Sequence, residues 1–336
     1  MIAEYPGVSV VVPVLNEERH LRSAVRRILA QDYPGELQVI LSVGPSSDRT
    51  EEIAVALAKG DHRVQVVENP TGKTPSALNL GIAAAKYDIV VRVDGHGELA
   101  DGYIRRAVEL LDETGAANVG GVMDAQGQTP FEEAVAYAYT SRLGLGGSKF
   151  HLEESPAGPA DTVYLGVFRK QALLDAGGFD ESMHRAQDWE LNYRLRQRGE
   201  LIWFSPELKV TYRPRATFKA LASQYLLTGK WRREVVRRHP DTAGPRYLAP
   251  PLTVLGIGVG TAGGLLGLLL DKMILKAGWL APLGYGLLIM VGSLTAKDIS
   301  PQARVRLPLV LAVMHLCWGW GFLVGLDQRQ RVDFKR

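Results

Sequence analysis

The fold is decided near the start of the chain by the stretch Val8–Asn16, which reads Val-Ser-Val-Val-Val-Pro-Val-Leu-Asn. Within it, the β-branched run Val8–Val14 is typical of a strand buried on both faces of a parallel sheet. The next segment, Glu17–Gln31, has apolar residues at helical spacing, namely Leu21, Val25, Ile28 and Leu29. The stretch therefore predicts a buried strand followed by a helix, with Asn16 as the helix N-cap.

The alternation of strand and helix returns three more times. The further strands are predicted at residues 37–43, 64–68 and 89–93, and their helices at 51–59, 74–85 and 101–113. This alternation predicts an α/β fold with a parallel sheet flanked by helices. Ligands of such sheets bind beyond the carboxyl ends of the strands. The polar groups at those ends are therefore expected in one site, and they are Asn16, Glu17, Gly44–Asp48 and Asp94–His96.

After Gly121 the pattern becomes less regular. Strands are predicted at residues 163–168, 201–204 and 208–212, and helices at 170–176 and 188–198. Three apolar stretches follow at about 251–270, 278–295 and 307–326, each close to the ~20 residues that cross a bilayer core. The expected organisation is a catalytic domain, a basic amphipathic interfacial segment, transmembrane helices and a basic tail, at residues 1–215, 216–248, 249–328 and 329–336.

The interfacial segment is predicted from charge and helical spacing. Ten Lys or Arg stand between Lys209 and Arg246 against two acids, which suits a surface of anionic lipid. In the stretch Phe218–His239 we expect the apolar residues to face lipid and the basic residues to meet headgroups. The apolar set is Phe218, Leu221, Tyr225 and Leu226, and the basic set is Lys219, Arg232, Arg233, Arg237 and Arg238. The alternative is an ordinary surface helix.

Composition narrows the class of protein further. The net charge of +3 over 336 residues gives little support to a nucleic-acid partner. The single cysteine, Cys317, excludes a disulfide within the chain and a cysteine-based zinc site. The start of the chain has no basic and apolar leader pattern, so the soluble domain is expected in the cytoplasm. Three crossings would then put the C-terminus outside, whereas the basic tail favours the inside, which leaves open that one stretch is re-entrant or interfacial.

Two short motifs carry the chemistry. Asp94 and His96 follow the fourth predicted strand, where a carboxylate and a second ligand two residues on can hold a divalent cation that bridges a diphosphate. The alternative is a simple Asp-Gly turn. Asp188 lies at a predicted helix start, in Arg-Ala-Gln-Asp-Trp-Glu-Leu (185–191). It is a candidate general base for a hydroxyl acceptor, and the alternative is a helix N-cap.

Five motifs in order resemble family 2 glycosyltransferases, which have the GT-A fold, a Rossmann-like, mostly parallel sheet flanked by helices. They extend from residue 10 to residue 196 of the first 210 or so residues. In order they are Val-Val-Val-Pro-Val-Leu-Asn-Glu-Glu (10–18), Asn-Pro (69–70) with Ala-Leu-Asn-Leu-Gly-Ile (77–82), Val-Asp-Gly-His (93–96), Gly-Gly-Phe-Asp (177–180), and Gln-Asp-Trp-Glu-Leu (187–191) with Arg-Leu-Arg (194–196). The strings around Asp94 and Asp188 and the apolar C-terminal region are most similar to the succinoglycan-type β-glucosyltransferases.

The resemblance implies a role for each matching residue. Pro13, Asn16 and Glu17 would line the pocket for base and ribose. Asp94 would face the ribose and diphosphate, and His96 would take the metal-ligand place for Mn²⁺ or Mg²⁺. Asp188 would be the general base of an inverting transfer. Further donor contacts are expected from Lys73 and Arg185, and acceptor contacts from Gln187, Trp189 and Glu190. The alternative for Lys73 is a solvated loop lysine. The alternative for Glu190 is a pair with Arg194.

Three positions depart from the family pattern. Val43 stands where many members have an acid that contacts uracil, His96 replaces a second acid, and Gln187 precedes Asp188. The Gln-x-x-Arg-Trp motif of processive synthases is absent, because Gln224 and Trp231 lie seven apart. We therefore expect a single-addition transfer.

The expected donor is a nucleotide-sugar, UDP-hexose by the resemblance, and the expected acceptor is membrane-associated and lipid-linked, in polysaccharide or glycolipid biosynthesis. The expected location is the cytoplasmic (inner) membrane, as a multi-pass protein in contact with lipids and with its catalytic domain facing the cytoplasm. The alternative is a non-catalytic nucleotide-sugar-binding membrane protein. A dinucleotide enzyme would need Gly-x-Gly-x-x-Gly after the first strand, and Pro-Val-Leu-Asn-Glu (13–17) stands there instead.

Overall fold

The computed structural model describes residues 4–145, 149–152 and 154–327. Contacts divide them into two compact units. The first contains the described residues up to Asp124 and those from Lys149 to Tyr212, and the second contains Ala125 to Leu145 and the residues from Arg213 onward. Each unit is considered by itself below.

The first unit is built on one mixed sheet. Its strands are β1 (Val8–Val14), β2 (Leu37–Val43), β3 (Val64–Glu68), β4 (Ile89–Arg92), β5 (Glu98–Leu99), β6 (Asn118–Ala125), β7 (Gly158–Pro159), β8 (Tyr164–Arg169) and β9 (Ile202–Tyr212). Their order is β3-β2-β1-β4-β8-β6-β9-β5, with β7 also on β9. β1 to β4 pair in parallel, whereas β4 with β8 and β6 with β8 are antiparallel. The predicted parallel sheet is therefore confirmed for its first half.

The described helices flank the sheet or form the second unit. They are α1 (Leu21–Leu29), α2 (Thr50–Gly60), α3 (Thr74–Ala84), α4 (Tyr103–Thr114), α5 (Pro130–Thr140), α6 (Lys170–Asp175), α7 (Gln187–Gln197), α8 (Phe218–Arg238), α9 (Pro245–Leu269), α10 (Met273–Lys276), α11 (Leu280–Leu294) and α12 (Pro301–Val324). Helices α5 and α8 to α12 lie in the second unit.

The order in which the chain adds parallel strands to the sheet reverses at β1. From β1 it proceeds outward through β2 to β3, and then returns to place β4 on the other side of β1. Val10 and Val12 of β1 belong to one buried cluster and Val11 to the other, so both faces of the strand are covered by apolar side chains. A reversal of this kind opens a crevice at the carboxyl ends of the two central strands, which here are β1 and β4.

Three local expectations differ from the structure. Asn16 is not the N-cap of α1, because that helix begins at Leu21 and Asn16 has a positive φ of 55° in the preceding loop. The two strands predicted at 201–204 and 208–212 form one continuous strand, β9. Strand β6 was not predicted, since its Gly120 and Gly121 weaken the strand pattern; Gly121 is required there because a Cβ would overlap the Leu208 carbonyl.

Helix α8 forms as predicted, but two of the four apolar residues expected to face lipid are buried. Leu221 and Tyr225 are buried within the second unit. Arg232, expected among the headgroups, is also buried, and its guanidinium lies 3.4 Å from the centre of the Tyr247 ring. Leu221, Tyr225 and Arg232 therefore make contacts within the protein, which corrects the lipid and headgroup contacts expected of these three side chains. Phe218 and Arg233 are exposed as expected.

Glu234 organises the charged end of α8. Its carboxylate accepts from Arg237 at 2.6 Å and from Arg238 at 2.9 Å. Hydrogen bonds from these guanidinium groups lower the pKa of Glu234 to about 2. The last turn of α8 therefore carries a fixed cluster of one acid and two bases.

Three helical segments of the second unit are long and apolar enough to cross a membrane. They are Pro245–Leu269, Met273–Leu294 and Pro301–Val324, with 25, 22 and 24 residues. These are the three apolar stretches predicted from sequence, with somewhat different bounds. The predicted basic tail, residues 329–336, lies outside the described residues.

Candidate active site

The end of β1 and the turn after β4 are in close contact. Gly97 N–H donates to the Asp94 carbonyl at 2.8 Å, which closes the turn. A Cβ on Gly95 would lie 3.0 Å from Glu17 Cγ and 3.5 Å from the Pro13 carbonyl oxygen. Glycine is therefore needed at this position so that the two segments can approach each other. The structure thus brings Pro13, Glu17 and Asp94 to the crevice where sequence placed them.

Glu17 holds the ring of His96. Its Oε1 lies 2.9 Å from His96 Nδ1, and the Glu17 side chain is 17% exposed whereas that of His96 is 51% exposed. A carboxylate on Nδ1 fixes the orientation of the imidazole ring. The sequence predicted Glu17 for the donor pocket but did not reveal its contact with His96.

Asn16 joins the loops after β1 and β2. Its side-chain oxygen accepts from Ser47 N–H at 2.8 Å, and the backbone N–H of Glu17 donates to Thr50 Oγ1 at 2.7 Å. Gly44 lies close to Gly72 in the next loop. Three loops that leave parallel strands are thereby held together, which forms one wall of the crevice.

Arg92 is the residue that unites the site. It is buried, and it donates from Nε and Nη2 to Asp94 Oδ1 at 3.3 and 3.1 Å. Its Nη1 donates to Oδ1 of Asp188, which belongs to a different element, α7. One guanidinium therefore links the metal-ligand candidate to the base candidate across 96 residues of sequence.

The contacts of Arg92 were not predicted from the sequence, although a signal was present. An arginine in the apolar strand Ile-Val-Val-Arg (89–92) must be paired when the strand is buried. The Asp94 side chain is 25% exposed and that of Asp188 is 37% exposed. Both carboxylates are therefore accessible from solvent, whereas the Arg92 guanidinium that they share is buried.

The start of α7 presents the predicted acceptor residues. Ala186 precedes the helix with a positive φ of 60°, a conformation that is costly for alanine and often found at functional sites. Gln187 and Asp188 follow in the first turn, both half-buried. Trp189 stacks on Tyr193, with ring centres 5.5 Å apart and an angle of 16° between planes.

Glu190 differs from its predicted role. It is buried and accepts from Arg194 Nε at 2.7 Å and from Arg194 Nη2 at 2.8 Å, through both carboxylate oxygens. Arg194 also donates to the carbonyls of Ala176 and Gly178. This geometry does not support an acceptor contact by Glu190, because its oxygens face an internal guanidinium that anchors the 176–178 turn.

Asn79 of α3 fixes the same turn from the other side. Its oxygen accepts from Phe179 N–H at 2.8 Å, and its nitrogen donates to the Phe179 carbonyl at 2.9 Å. The motif residues Asn79 and Gly178 therefore act together, a relation that the sequence did not reveal. They position the segment that leads into α7.

We expect Gly178→Ala to destabilise the protein more than Gly177→Ala. Both glycines have positive φ, 71° and 78°, so either alanine costs about 1–2 kcal/mol in backbone strain. Only at Gly178 would the Cβ meet Asn79 Oδ1, at 2.6 Å, whereas nothing lies within 4 Å at Gly177. The added overlap is worth about 1–3 kcal/mol. Thermal unfolding of the two variants measures the difference, and equal melting temperatures would contradict the role of Asn79.

Tyr164, the first residue of β8, lies beside Asp94. Burial, and secondarily the Asp94 charge, raise the pKa of Tyr164 well above its usual value. The next residue, Leu165, has a positive φ of 43°, and β6 is irregular opposite it, between Val119 and Gly121. A strained strand thus places a neutral phenol next to the candidate metal-ligating acid.

The remaining donor candidates lie on the loops near the crevice. Lys73 is half-buried and immediately precedes α3. Burial, followed by the charge of Lys73, lowers the pKa of His184, so Lys73 and the loop before α7 are electrostatic neighbours. Arg185 is half-buried on that same loop. Their contact with a diphosphate stays a prediction.

The site suits a cation that the substrate helps to bind. No group of three or more His, Cys, Asp or Glu suited to a metal ion occurs within residues 4–145, 149–152 and 154–327. Asp94 and His96 offer one oxygen and one nitrogen, and the Glu17 carboxylate on His96 is the supporting contact usual at metal-bound histidines. Phosphate oxygens commonly complete such a partial ligand set.

A mostly parallel sheet with a crevice at the β1–β4 reversal, in a chain that also has three helical segments apolar enough to cross a membrane, is the architecture of a membrane-associated transferase of the GT-A fold. The model of the family described as "Glycosyl transferase family 2" matches residues 9–174. A relative from Rhizobium meliloti (strain 1021), the succinoglycan biosynthesis protein ExoA, is 33% identical over 97% of this chain and 96% of its own length. The chain belongs to glycosyltransferase family 2, which confirms the resemblance seen in the sequence.

Two further similarities agree with this assignment. A Methanococcus voltae dolichyl N-acetyl-α-D-glucosaminyl phosphate 3-β-D-2,3-diacetamido-2,3-dideoxy-β-D-glucuronosyltransferase is 23% identical over 69% of this chain and 74% of its own. The solved structure of the mannosyltransferase PcManGT from Pyrobaculum calidifontis, in complex with GDP-Man and Mn²⁺, has a TM-score of 0.56 at 18% identity and covers 96% of this chain and 87% of that chain. The second similarity shows the fold.

Proposed function

We propose that this enzyme transfers a hexose from a nucleotide-sugar, with UDP-hexose as the expected donor, to a membrane-associated, lipid-linked acceptor. The reaction is inverting, adds one sugar per encounter and belongs to polysaccharide or glycolipid biosynthesis. The observation that carries the proposal is the shared contact of Asp94 and Asp188 with Arg92. Asp94 would face the diphosphate and Asp188 the acceptor hydroxyl, and both accept from the buried Arg92 guanidinium.

The chemical step follows from these positions. The acceptor oxygen attacks the anomeric carbon from the side opposite the diphosphate, so that the new C–O bond forms while the bond to the diphosphate breaks. The nucleoside diphosphate leaves with the bonding electrons, and the hydroxyl proton passes to Asp188. Arg92 engages Oδ1 of Asp188, which orients the carboxylate and assigns the proton to Oδ2. In-line attack converts an α-linked donor into a β-linked product.

A divalent cation, Mn²⁺ or Mg²⁺, would neutralise the charge that develops on the departing diphosphate. Asp94 and His96 are the residues that would hold it, with Glu17 positioning the imidazole. An imidazole ligand suits Mn²⁺ better than Mg²⁺, which prefers oxygen. Support comes also from the P. calidifontis structure, which contains Mn²⁺ and GDP-Man.

We expect Glu17→Gln to weaken Mn²⁺ binding by about 10- to 100-fold, because the imidazole loses its charged partner. Calorimetric titration of Mn²⁺ into the protein saturated with UDP measures the affinity directly. The neighbouring Glu18→Gln is the matched control, since Glu18 is exposed and its carboxylate accepts only from Arg49 N–H among the hydrogen bonds of the described residues. Unchanged affinity in Glu17→Gln would remove this residue from the metal site.

The membrane acceptor is proposed from the second unit and from the relatives. Apolar helices and the basic helix α8 suit an enzyme of the inner membrane whose catalytic domain faces the cytoplasm. The M. voltae relative is named for a dolichyl-phosphate-linked sugar, and the R. meliloti relative for succinoglycan biosynthesis. The first name supports a lipid-linked acceptor, and the second supports a role in polysaccharide biosynthesis.

The decisive experiment is a donor and acceptor screen with the purified full-length protein. UDP- and GDP-sugars are incubated with Mn²⁺ and membrane lipid extract, and release of nucleoside diphosphate and formation of glycolipid are followed by mass spectrometry. Transfer from one donor class to a lipid supports the proposal. Donor binding in calorimetry without turnover on any lipid fraction favours the non-catalytic binding protein instead.

A further inference from the structure

The first two apolar segments form a hairpin. Three glycines of α9 lie close to the segment that runs from α10 into α11, and the order of the contacts is reversed. Gly267 is near Leu275, Gly264 near Trp279 and Gly260 near Ala281. The two legs have 25 and 22 residues, about 37 and 33 Å at 1.5 Å per residue. Both exceed the roughly 30 Å of a bilayer core. The end of α11 therefore returns to the side on which α9 begins.

Helix α12 begins on that same side. Only Thr295–Ser300 separate α11 from α12, a span of about 20 Å when fully extended, which is too short to cross the bilayer core again. Ser300 donates from both N and Oγ to the Glu133 carboxylate of α5, at 2.6 Å each. An ionised carboxylate is costly within hydrocarbon, so the start of α12 lies at its edge or outside it.

Helix α12 also ends there. Arg233 of α8 donates to the carbonyls of Phe322 and Leu323 in its last turn. A Cβ on Gly321 would overlap the Leu226 carbonyl, and one on Gly319 would overlap the carbonyl of Pro250, in the second turn of α9. The last turns of α12 are therefore wedged between α8 and the beginning of α9.

The partners at the two ends of α12 are neighbours of each other. Phe131 of α5 packs on Phe218 of α8 with ring centres 4.4 Å apart, and Tyr139 packs on Tyr225 at 6.1 Å. A crossing helix of 24 residues, about 36 Å long, would have its ends on opposite sides of the bilayer. Here both ends contact the α5–α8 pair, which carries the charged side chains.

We propose that α12 does not cross the membrane and instead lies in the lipid surface on the side of α8, so that only the α9 to α11 hairpin spans it. Its outward side carries exposed apolar residues, namely Val305, Leu309, Trp320 and Val324. Tryptophan and arginine are the residues that favour the headgroup region, and Arg304, Arg306 and Trp320 provide them. Two crossings also agree with the positive charge of the sequence that follows α12, because basic segments favour the cytoplasmic side.

Single cysteines labelled with a membrane-impermeant maleimide test this arrangement in the full-length protein. The background is Cys317→Ser, which removes the one native thiol. Lys272→Cys reports the hairpin turn, Gln302→Cys the start of α12 and Asp327→Cys the residue beyond its end; all three positions are exposed. Sealed membrane vesicles of each orientation are labelled before and after detergent.

We expect Gln302→Cys and Asp327→Cys to react from one face of the vesicle and Lys272→Cys from the other. Reaction of Gln302→Cys and Asp327→Cys from opposite faces would show that α12 crosses and would overturn the proposal. If a thiol reacts only in detergent, fluorescent-protein and alkaline-phosphatase fusions after residue 336 assign the side of the C-terminus and decide. The outcome does not depend on sugar transfer, because an inactive protein still reports its topology.

Discussion

Asp188→Asn is expected to lower the turnover number of sugar transfer by about 10²- to 10⁴-fold, the usual contribution of a general base. The amide keeps the shape of the side chain and can still accept from Arg92, which holds Asp188 in the structure. It cannot take the proton of the acceptor hydroxyl. Donor binding should stay near the wild-type value, because the donor contacts proposed above lie on β1, β4 and their loops. Steady-state kinetics and donor calorimetry measure the two quantities separately.

The matched control is Asp175→Asn on the neighbouring helix α6. Asp175 is exposed and accepts from Gln171 of its own helix at 2.8 Å, so its replacement should leave turnover unchanged. Wild-type turnover in Asp188→Asn would remove this residue from the mechanism. Loss of both donor binding and turnover would instead assign Asp188 to the donor pocket.

Arg92→Met is expected to be the most damaging change to the first unit. Methionine occupies a similar volume but leaves Asp94 and Asp188 without their shared cation. Removing one partner of a buried ion pair costs about 3–5 kcal/mol, and the partial exposure of both carboxylates favours the lower end. For a domain of this size the melting temperature should fall by about 6–12 °C. Turnover should fall as well, since Asp188 loses its orientation.

Arg92→Lys and Arg63→Met complete this test. Lysine keeps the charge but is a compact ammonium that does not reproduce the planar fork between two carboxylates, so stability should be partly restored while turnover stays low. Arg63 pairs with Asp61 near the surface, and its loss should change stability by no more than about 1 kcal/mol. An Arg92→Met protein with wild-type melting temperature and turnover would contradict the central role of this residue.

The shared arginine also explains how two acids can occupy one crevice. Two carboxylates close together repel each other, and one of them is then driven to bind a proton. A guanidinium between Asp94 and Asp188 offsets that repulsion. The buried guanidinium therefore allows a metal-ligand candidate and a proton-acceptor candidate to lie in one crevice.

The sequence by itself determined the local elements of the first unit. The bounds of β1, β2 and β3 were predicted to the residue, because apolar runs and their polar ends are local properties of the chain. The order of motifs also determined the family. Strand β6 was not predicted, since glycines interrupt it. Helix α5 was also missed, although Thr129 and Glu132 form a capping box at its start.

Tertiary structure alone decided the partnerships within the site. Arg92 and Asp188 are 96 positions apart, and no periodicity predicts that a strand and a distant helix will share one guanidinium. The pairing of Glu17 with His96 was settled in the same way, by which side chains face each other once the sheet has formed. The Glu190–Arg194 pair is different, because it is an i,i+4 contact within α7 that the sequence already offered as an alternative. Length and hydropathy made α12 a membrane-span candidate, whereas its contacts with Glu133 and Arg233 depend on the packing of helices far apart in sequence. Local pattern fixes which elements form, but the placement of a charge depends on neighbours that only the folded chain supplies.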